Sequence, residues 1–236
     1  MLKHQFLDFE LFHLKDSEIV IYDKNIRFNK QKPIIAIFGS SSEFQEKRGI
    51  PPISDLKKLC ISLGKELGEN KWNILTSGCT GVPYWIAKEA KRYGSFVISF
   101  SPFKSEKEHK KDKKIIPSFP IDQNSAAIYT NLGFQFCDIL ASYLCDSALI
   151  IGGGLGSLRE SASLVEYGKP LICFNETGGV SASIPQLFKE NFVLKLSLLT
   201  CKNLTQFKEI INQVSFEING PNKQIVKLLR QIYLKI

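Results

Sequence analysis

No Cys-x-x-Cys pair occurs in the chain, although it holds six cysteines: Cys60, Cys79, Cys137, Cys145, Cys173 and Cys201. Their scatter, with Cys173 inside an apolar run, argues against a disulfide framework or a zinc site and for reduced thiols. Histidine is scarce as well. His4, His13 and His109 are the whole supply, and none stands at ligand spacing from another or from a cysteine pair, so no metal site is expected. Long apolar runs are missing: nothing approaches the roughly 20 residues that a membrane-spanning helix needs. The opening Met1-Leu2-Lys3-His4 has neither the apolar stretch nor the small-residue cleavage site of an export signal. These absences predict a cytoplasmic protein with no membrane partner.

A basic stripe interleaved with aromatic residues is also lacking. The formal net charge is +8, which would suit a polyanion, but its distribution does not. Six lysines fall between Lys104 and Lys114, yet Glu106, Glu108 and Asp112 among them leave a local excess of only +3. Alternating signs of this kind describe a solvated loop rather than a nucleic-acid surface.

What is present is an ordinary globular composition, 44% hydrophobic and 23% charged over 236 residues. That length accommodates one large α/β core with additions. Residues 1–32 read as an N-terminal extension, in which Glu18 to Tyr22 and Asn25 to Phe28 form a small hairpin able to join a sheet edge or a subunit contact. Residues 33–236 form the main domain.

Within that domain short apolar runs alternate with helical patterns. Pro33 to Phe38, Trp72 to Leu75, Phe96 to Phe100, Ala148 to Ile151 and Leu171 to Phe174 read as strands buried on both faces, with Phe192 to Leu196 as a last one. A helix is expected from an N-cap at Ser54, with Leu56, Leu59, Cys60, Leu63 and Leu67 on one face, stopping at Gly68. A second is expected between Pro83 and Gly94, with Tyr84 and Trp85 in the core. Others run from Asn131 to Tyr143, from Ser157 to Tyr167, from Leu204 to Val214 and from Lys223 to Lys235. This alternation is the signature of a Rossmann-like, doubly wound, mostly parallel α/β sheet with helices on both faces.

In such sheets ligands bind beyond the carboxyl ends of the strands. Three loops of small residues fall there: Gly39-Ser40-Ser41 after the first strand, Ser77-Gly78-Cys79-Thr80-Gly81 after the second, and Gly152-Gly153-Gly154-Leu155-Gly156-Ser157 after the fourth. The last has four glycines in five residues at a strand-to-helix junction, where bare amides and the positive end of the helix dipole invite an anion. A small phosphorylated ligand is therefore expected. Glu160, on the first turn of the following helix, is suited to chemistry or to ribose binding, with dipole complementation the alternative. Cys79 could serve as a nucleophile, but with no histidine near it in sequence it reads as a small residue lining a turn.

These motifs, G-S-S, T-S-G-C-T-G-V and G-G-x-G-S-L-x-E, in this order on these elements, resemble the Lonely-guy or "lysine decarboxylase-like" family of Rossmann-type proteins. The branch most similar is that of the molybdenum-cofactor carrier proteins, which Glu108-His109 and Glu176-Thr177-Gly178-Gly179-Val180 also resemble. The resemblance spans roughly Pro33 to Lys189. It implies that Gly153, Gly154, Gly156 and Ser157 hold a 5′-phosphate, that Glu160 faces the ribose as the catalytic group, and that the chain forms a dimer or larger homo-oligomer. It further marks Glu108, His109, Asp138 and Arg159 as candidate ligand contacts.

Hydrolytic members cleave the N-glycosidic bond of nucleoside 5′-monophosphates. They carry an arginine on the preceding helix, where this chain has Cys137 or Asp138, and a proline where it has Gly152; Arg159 is the nearest substitute. No cofactor is required by these residues. The cleft would hold a nucleotide or the molybdenum cofactor, leaving phosphoribohydrolase, cofactor carrier and DNA binding of the DNA-processing protein A type as the functional alternatives.

Overall fold

The computed structural model describes residues 17–29, 31–41, 52–112, 117–191 and 198–213. Eight strands form one sheet: β1 (Glu18–Ile21), β2 (Ile34–Gly39), β3 (Asn73–Thr76), β4 (Val97–Ser101), β5 (Ala126–Tyr129), β6 (Ser147–Ile151), β7 (Leu171–Phe174) and β8 (Leu198–Cys201). Their order is β1-β5-β4-β3-β2-β6-β7-β8, with every neighbouring pair parallel except β1 against β5. The chain winds outward from β2 through β3 and β4 to β5, then returns to the other side of β2 for β6, β7 and β8. Strand order thus reverses between β2 and β6, and the expected Rossmann-like α/β fold is the one observed.

Seven α-helices accompany the described strands: α1 (Ile53–Glu69), α2 (Val82–Arg92), α3 (Glu106–Lys111), α4 (Gly133–Leu144), α5 (Leu155–Glu166), α6 (Gly179–Asn191) and α7 (Leu204–Gln213), with a 3-10 turn at Asn175–Thr177. Side chains alternate across β2. Ile34, Ala36 and Phe38 join one apolar cluster with Leu140, Leu164 and Ile184 of α4, α5 and α6, while Ile35 and Ile37 join a second with Leu63, Ile86 and Phe207 of α1, α2 and α7. Burial on both faces is why these strands read as continuous apolar runs instead of alternating ones.

Several expectations need correction. The hairpin does not form: Glu18–Ile21 pairs antiparallel with Ala126–Tyr129, so the segment closes a sheet edge, and Ile26 to Phe28 is not a strand. Gly68 does not stop the first helix, which continues to Glu69. Gly64 and Gly68 lie buried where α1 meets α2, and a Cβ on either would come within 2.6 Å of an α2 carbonyl. Their role is close helix approach. Trp85 is half-buried and packs against the second apolar cluster, whereas Tyr84 is half-buried with its hydroxyl bonded to Asp122 and Lys88 instead of core.

Part of the lysine-rich stretch is helical. Ser105 caps α3 by accepting a hydrogen bond from the Glu108 amide, and His109 is buried against the sheet. Strand β5 and helix α6 have no counterpart in the sequence pattern. The strand expected at 192–196 and the helix expected at 223–235 lie outside the described residues. No described helix is long and apolar enough to cross a membrane.

Candidate functional site

A cavity of about 860 Å³ opens at the carboxyl edge of the sheet, where strand order reverses. The loops after β2, β3 and β6 converge on it, joined by the start of α4, the start of α6 and Phe119 from the segment before β5. Among the residues picked out from sequence, Gly39, Ser41, Ser77, Asp138, Gly153, Gly154, Gly156, Ser157 and Glu160 line it.

The glycine loop is shaped by hydroxyls on other loops. The Gly152 amide donates to Thr177 Oγ1 at 2.8 Å and to Ser181 Oγ at 3.0 Å, and the Gly153 amide donates to Ser40 Oγ at 2.8 Å. In return Gly153 O and Gly152 O accept from the amides of Val180 and Ser181 at the start of α6. Gly153 sits at φ +93, and a Cβ there would lie 2.5 Å from Ser157 Oγ. Only glycine fits that position.

Helix α5 begins at Leu155, two residues before the start expected at Ser157, because Gly154 occupies the N-cap position. Glycine has no side chain to cap the helix, and none of the described groups accepts from the amides of Gly154, Leu155, Gly156 or Ser157. These are the orphan donors of a helix start, and they fall on the cavity-lining stretch. The dipole of α5 adds partial positive charge at the same place. Leu155 is 81% exposed beside them.

The charges around the cavity are unusual for an anion site. Among the described residues that line it there is no Lys, Arg or His, and there are two carboxyl groups. Glu160 is 5% exposed on the second turn of α5, not the first as expected. Burial, reinforced by the charge of nearby Asp138, holds its carboxyl well above the usual range. Asp138 on α4 pairs with Arg159 Nη1 at 2.9 Å. Burial outweighs that guanidinium and pushes Asp138 up to about 6. The Cys79 thiol is pushed up to about 12, chiefly by burial and secondly by the charge of Glu160, which is the wrong direction for a nucleophile.

The remaining candidates do not line the cavity. Ser40 is buried beneath the loop, and the Gly78 amide is spent on Thr76 Oγ1. The Thr80 amide donates to Ser118 O, while Gly81 occupies the N-cap position of α2. Gly152 lies behind the loop, Arg159 is held by Asp138, and Glu108 points to solvent on α3. His109 does not reach the cavity; its Nε2 bonds Phe119 O and its Nδ1 bonds Ser101 Oγ, both at 2.9 Å.

Phe119, Phe134, Leu155, Gly179, Val180 and Ser183 line the cavity without having been picked out from sequence. Phe134 and Phe136, both on α4, are 43% and 50% exposed. The available signal was that α4 carries more large apolar residues than one buried stripe can use.

The sequence profile of the SLOG cluster4 family matches residues 32–206, well over half of the chain. The chain belongs to the SLOG cluster4 family. That assignment agrees with the resemblance read from the three loop motifs. Among solved structures, the structural-genomics target TM1055 superposes with a TM-score of 0.63 at 22% identity, covering 77% of this chain and 99% of that one. The molybdenum cofactor binding protein of the phototrophic bacterium Rippkaea orientalis gives 0.58 at 22% identity, covering 77% and 96%. The molybdenum cofactor carrier protein of Chlamydomonas reinhardtii gives 0.58 at 21% identity, covering 77% and 98%. At these identities the SLOG chain shares their fold. No match is found among curated proteins.

Proposed function

We propose that this SLOG protein binds a phosphorylated small molecule, a nucleotide or a phosphorylated cofactor, and holds it without turning it over. The observation that carries the reading is the set of four amides, Gly154 to Ser157, left without acceptors at the rim of the cavity. A terminal phosphate would accept from them and meet the positive end of α5. Each such contact contributes roughly 0.3 to 1 kcal/mol, up to about 2 when partly buried, so binding requires several together.

The charge state of the pocket supports retention over hydrolysis. Breaking an N-glycosidic bond builds positive charge on the sugar, which an ionised carboxylate would offset. Burial holds the Glu160 carboxyl well above the usual range, Cys137 or Asp138 stands where the hydrolytic members carry an arginine, and no cation is among the described residues that line the cavity. The two molybdenum-cofactor proteins of the same fold make that cofactor one candidate cargo, and an amide cradle is suited to its phosphate.

The test is mass spectrometry of small molecules retained by natively purified protein, together with a base-release assay on nucleoside 5′-monophosphates from pH 6 to 9. A retained phosphorylated compound with no base release agrees with the proposal. Base release that grows with pH and is lost in Glu160→Ala would replace it with the phosphoribohydrolase reading.

A further inference from the structure

We propose that Phe119 and Phe134 are the ring-binding half of the cavity, so that its ligand joins a planar heterocycle to its phosphate, and that His109 is a positioning residue for Phe119. This inference rests on the phosphate reading of the same cavity and names the class of molecule it takes.

Phe119 and Phe134 both line the cavity that the α5 amides border. Their ring centroids are 5.0 Å apart with planes tilted by 41°. Phe134 remains 43% exposed although a large apolar core lies beneath the same helix. Aromatic surface left exposed in a cavity gains by being covered with a flat partner, and every nucleobase or comparable heterocycle offers a π-face for that purpose. Val180 and the exposed Leu155 extend the apolar wall.

Phe119 is fixed from behind. Two consecutive carbonyls of its segment are engaged, Ser118 O by the Thr80 amide at 2.8 Å and Phe119 O by His109 Nε2 at 2.9 Å. A carbonyl only accepts, so Nε2 carries a proton, and Nδ1 shares a hydrogen bond with the Ser101 hydroxyl at 2.9 Å. The His109 ring is confined further by Phe103 and by an edge contact with Tyr129, with centroids at 5.3 and 5.9 Å. A buried histidine with both nitrogens spent is thus a strut between the sheet and the aromatic wall. Pre-set aromatic surface binds at a smaller entropic cost than a mobile one.

The experiment is calorimetric titration with AMP, GMP, CMP and UMP (ring and phosphate), ribose 5-phosphate (phosphate alone) and adenosine (ring alone). Wild type is compared with Phe119→Ala, Phe134→Ala, His109→Ala and His109→Gln. The expected result is that wild type prefers the monophosphates to ribose 5-phosphate, and that each Phe→Ala change weakens the monophosphates roughly 5- to 150-fold. Ribose 5-phosphate should stay within about twofold. His109→Ala should reproduce the selective loss, and His109→Gln, which keeps a donor for Phe119 O, should recover part of it.

Equal losses for ribose 5-phosphate and the monophosphates, or no loss for either, would overturn the inference and leave the phosphate reading standing. Binding of adenosine as tight as AMP, abolished by Phe134→Ala, would do the reverse: the ring wall would stand and the phosphate reading would fall.

Discussion

Ser40 and Gly153 lie 113 residues apart in the chain, and the Ser40 hydroxyl accepts a hydrogen bond from the Gly153 amide at 2.8 Å. The bond joins the loops that follow β2 and β6, the two adjacent strands between which sheet order reverses. With Thr177 and Ser181 gripping Gly152 from the other side, the turn is held by three hydroxyls from two other loops. The amides of Gly152 and Gly153 are consumed, and those of Gly154 to Ser157 have no acceptor among the described residues.

Removing that grip should cost stability and binding together. Ser40→Ala leaves the Gly153 amide buried without an acceptor, and Thr177→Val with Ser181→Ala does the same to Gly152. Each change should destabilise by about 1–3 kcal/mol, measurable by urea unfolding, and weaken phosphate-bearing ligands. Thr177→Ser, which keeps the hydroxyl, should remain near wild type in both.

Gly64→Ala separates helix propensity from packing. Alanine in a helix interior is ordinarily favoured over glycine by about 1 kcal/mol. Here the added Cβ would stand 2.6 Å from Ile86 O and 2.8 Å from the Glu89 Cβ, both on α2. Overpacking of that kind costs roughly 1–3 kcal/mol, so the substitution should lower the melting temperature. A rise would show that α1 and α2 have room to part.

The carboxyl groups of the pocket set a pH dependence. Glu160 and Asp138 both hold their protons more tightly in the folded chain than in the unfolded one, for which the ordinary values are 4.5 and 3.8. The stability they contribute is whole below about pH 4 and is lost as pH rises through Asp138's value near 6 and through the raised value of Glu160. Glu106, held low by its hydrogen bond to Lys110, acts in the opposite sense, so the informative quantity is a difference. Glu160→Gln should match wild type in melting temperature at pH 4 and exceed it increasingly toward pH 8. A difference that shrinks with rising pH would mean that Glu160 is ionised in the folded protein.

Cys79 supplies a check on the chemistry of the cavity wall. With its thiol at about 12, it should react with iodoacetamide at pH 8 at least about a hundredfold more slowly than an ordinary exposed cysteine. Ordinary reactivity, read by mass spectrometry of the labelled peptide, would contradict the burial assigned to it.

The sheet and the three loops were legible because doubly buried strands carry continuous apolar runs and small residues gather where a backbone must approach a ligand. Ala126 to Tyr129 escaped because two alanines in four residues give a weak strand signal, and its burial comes from β1 and β4 on either side. Helix α6 was hidden by Gly178 before it, Gly179 at its first position and Pro185 within it, residues that normally punctuate loops. The start of α5 was misplaced because Ser157 looks like a cap, whereas the uncapped Gly154 holds that position and leaves the amides bare. The roles of Ser40, Thr80 and His109 depend on contacts across the fold, which no local spacing encodes: each serves the site through another residue.

The central claim is that bare amides at the start of α5 select phosphate, and paired calorimetric titrations with a nucleoside 5′-monophosphate and its parent nucleoside test it most directly. Tighter binding of the phosphorylated partner by at least about tenfold, a difference of about 1.4 kcal/mol, with the preference lost in Gly156→Pro, whose ring removes one of the four donors, is the result predicted. Equal affinity for the two, or a preference that survives Gly156→Pro, would contradict it.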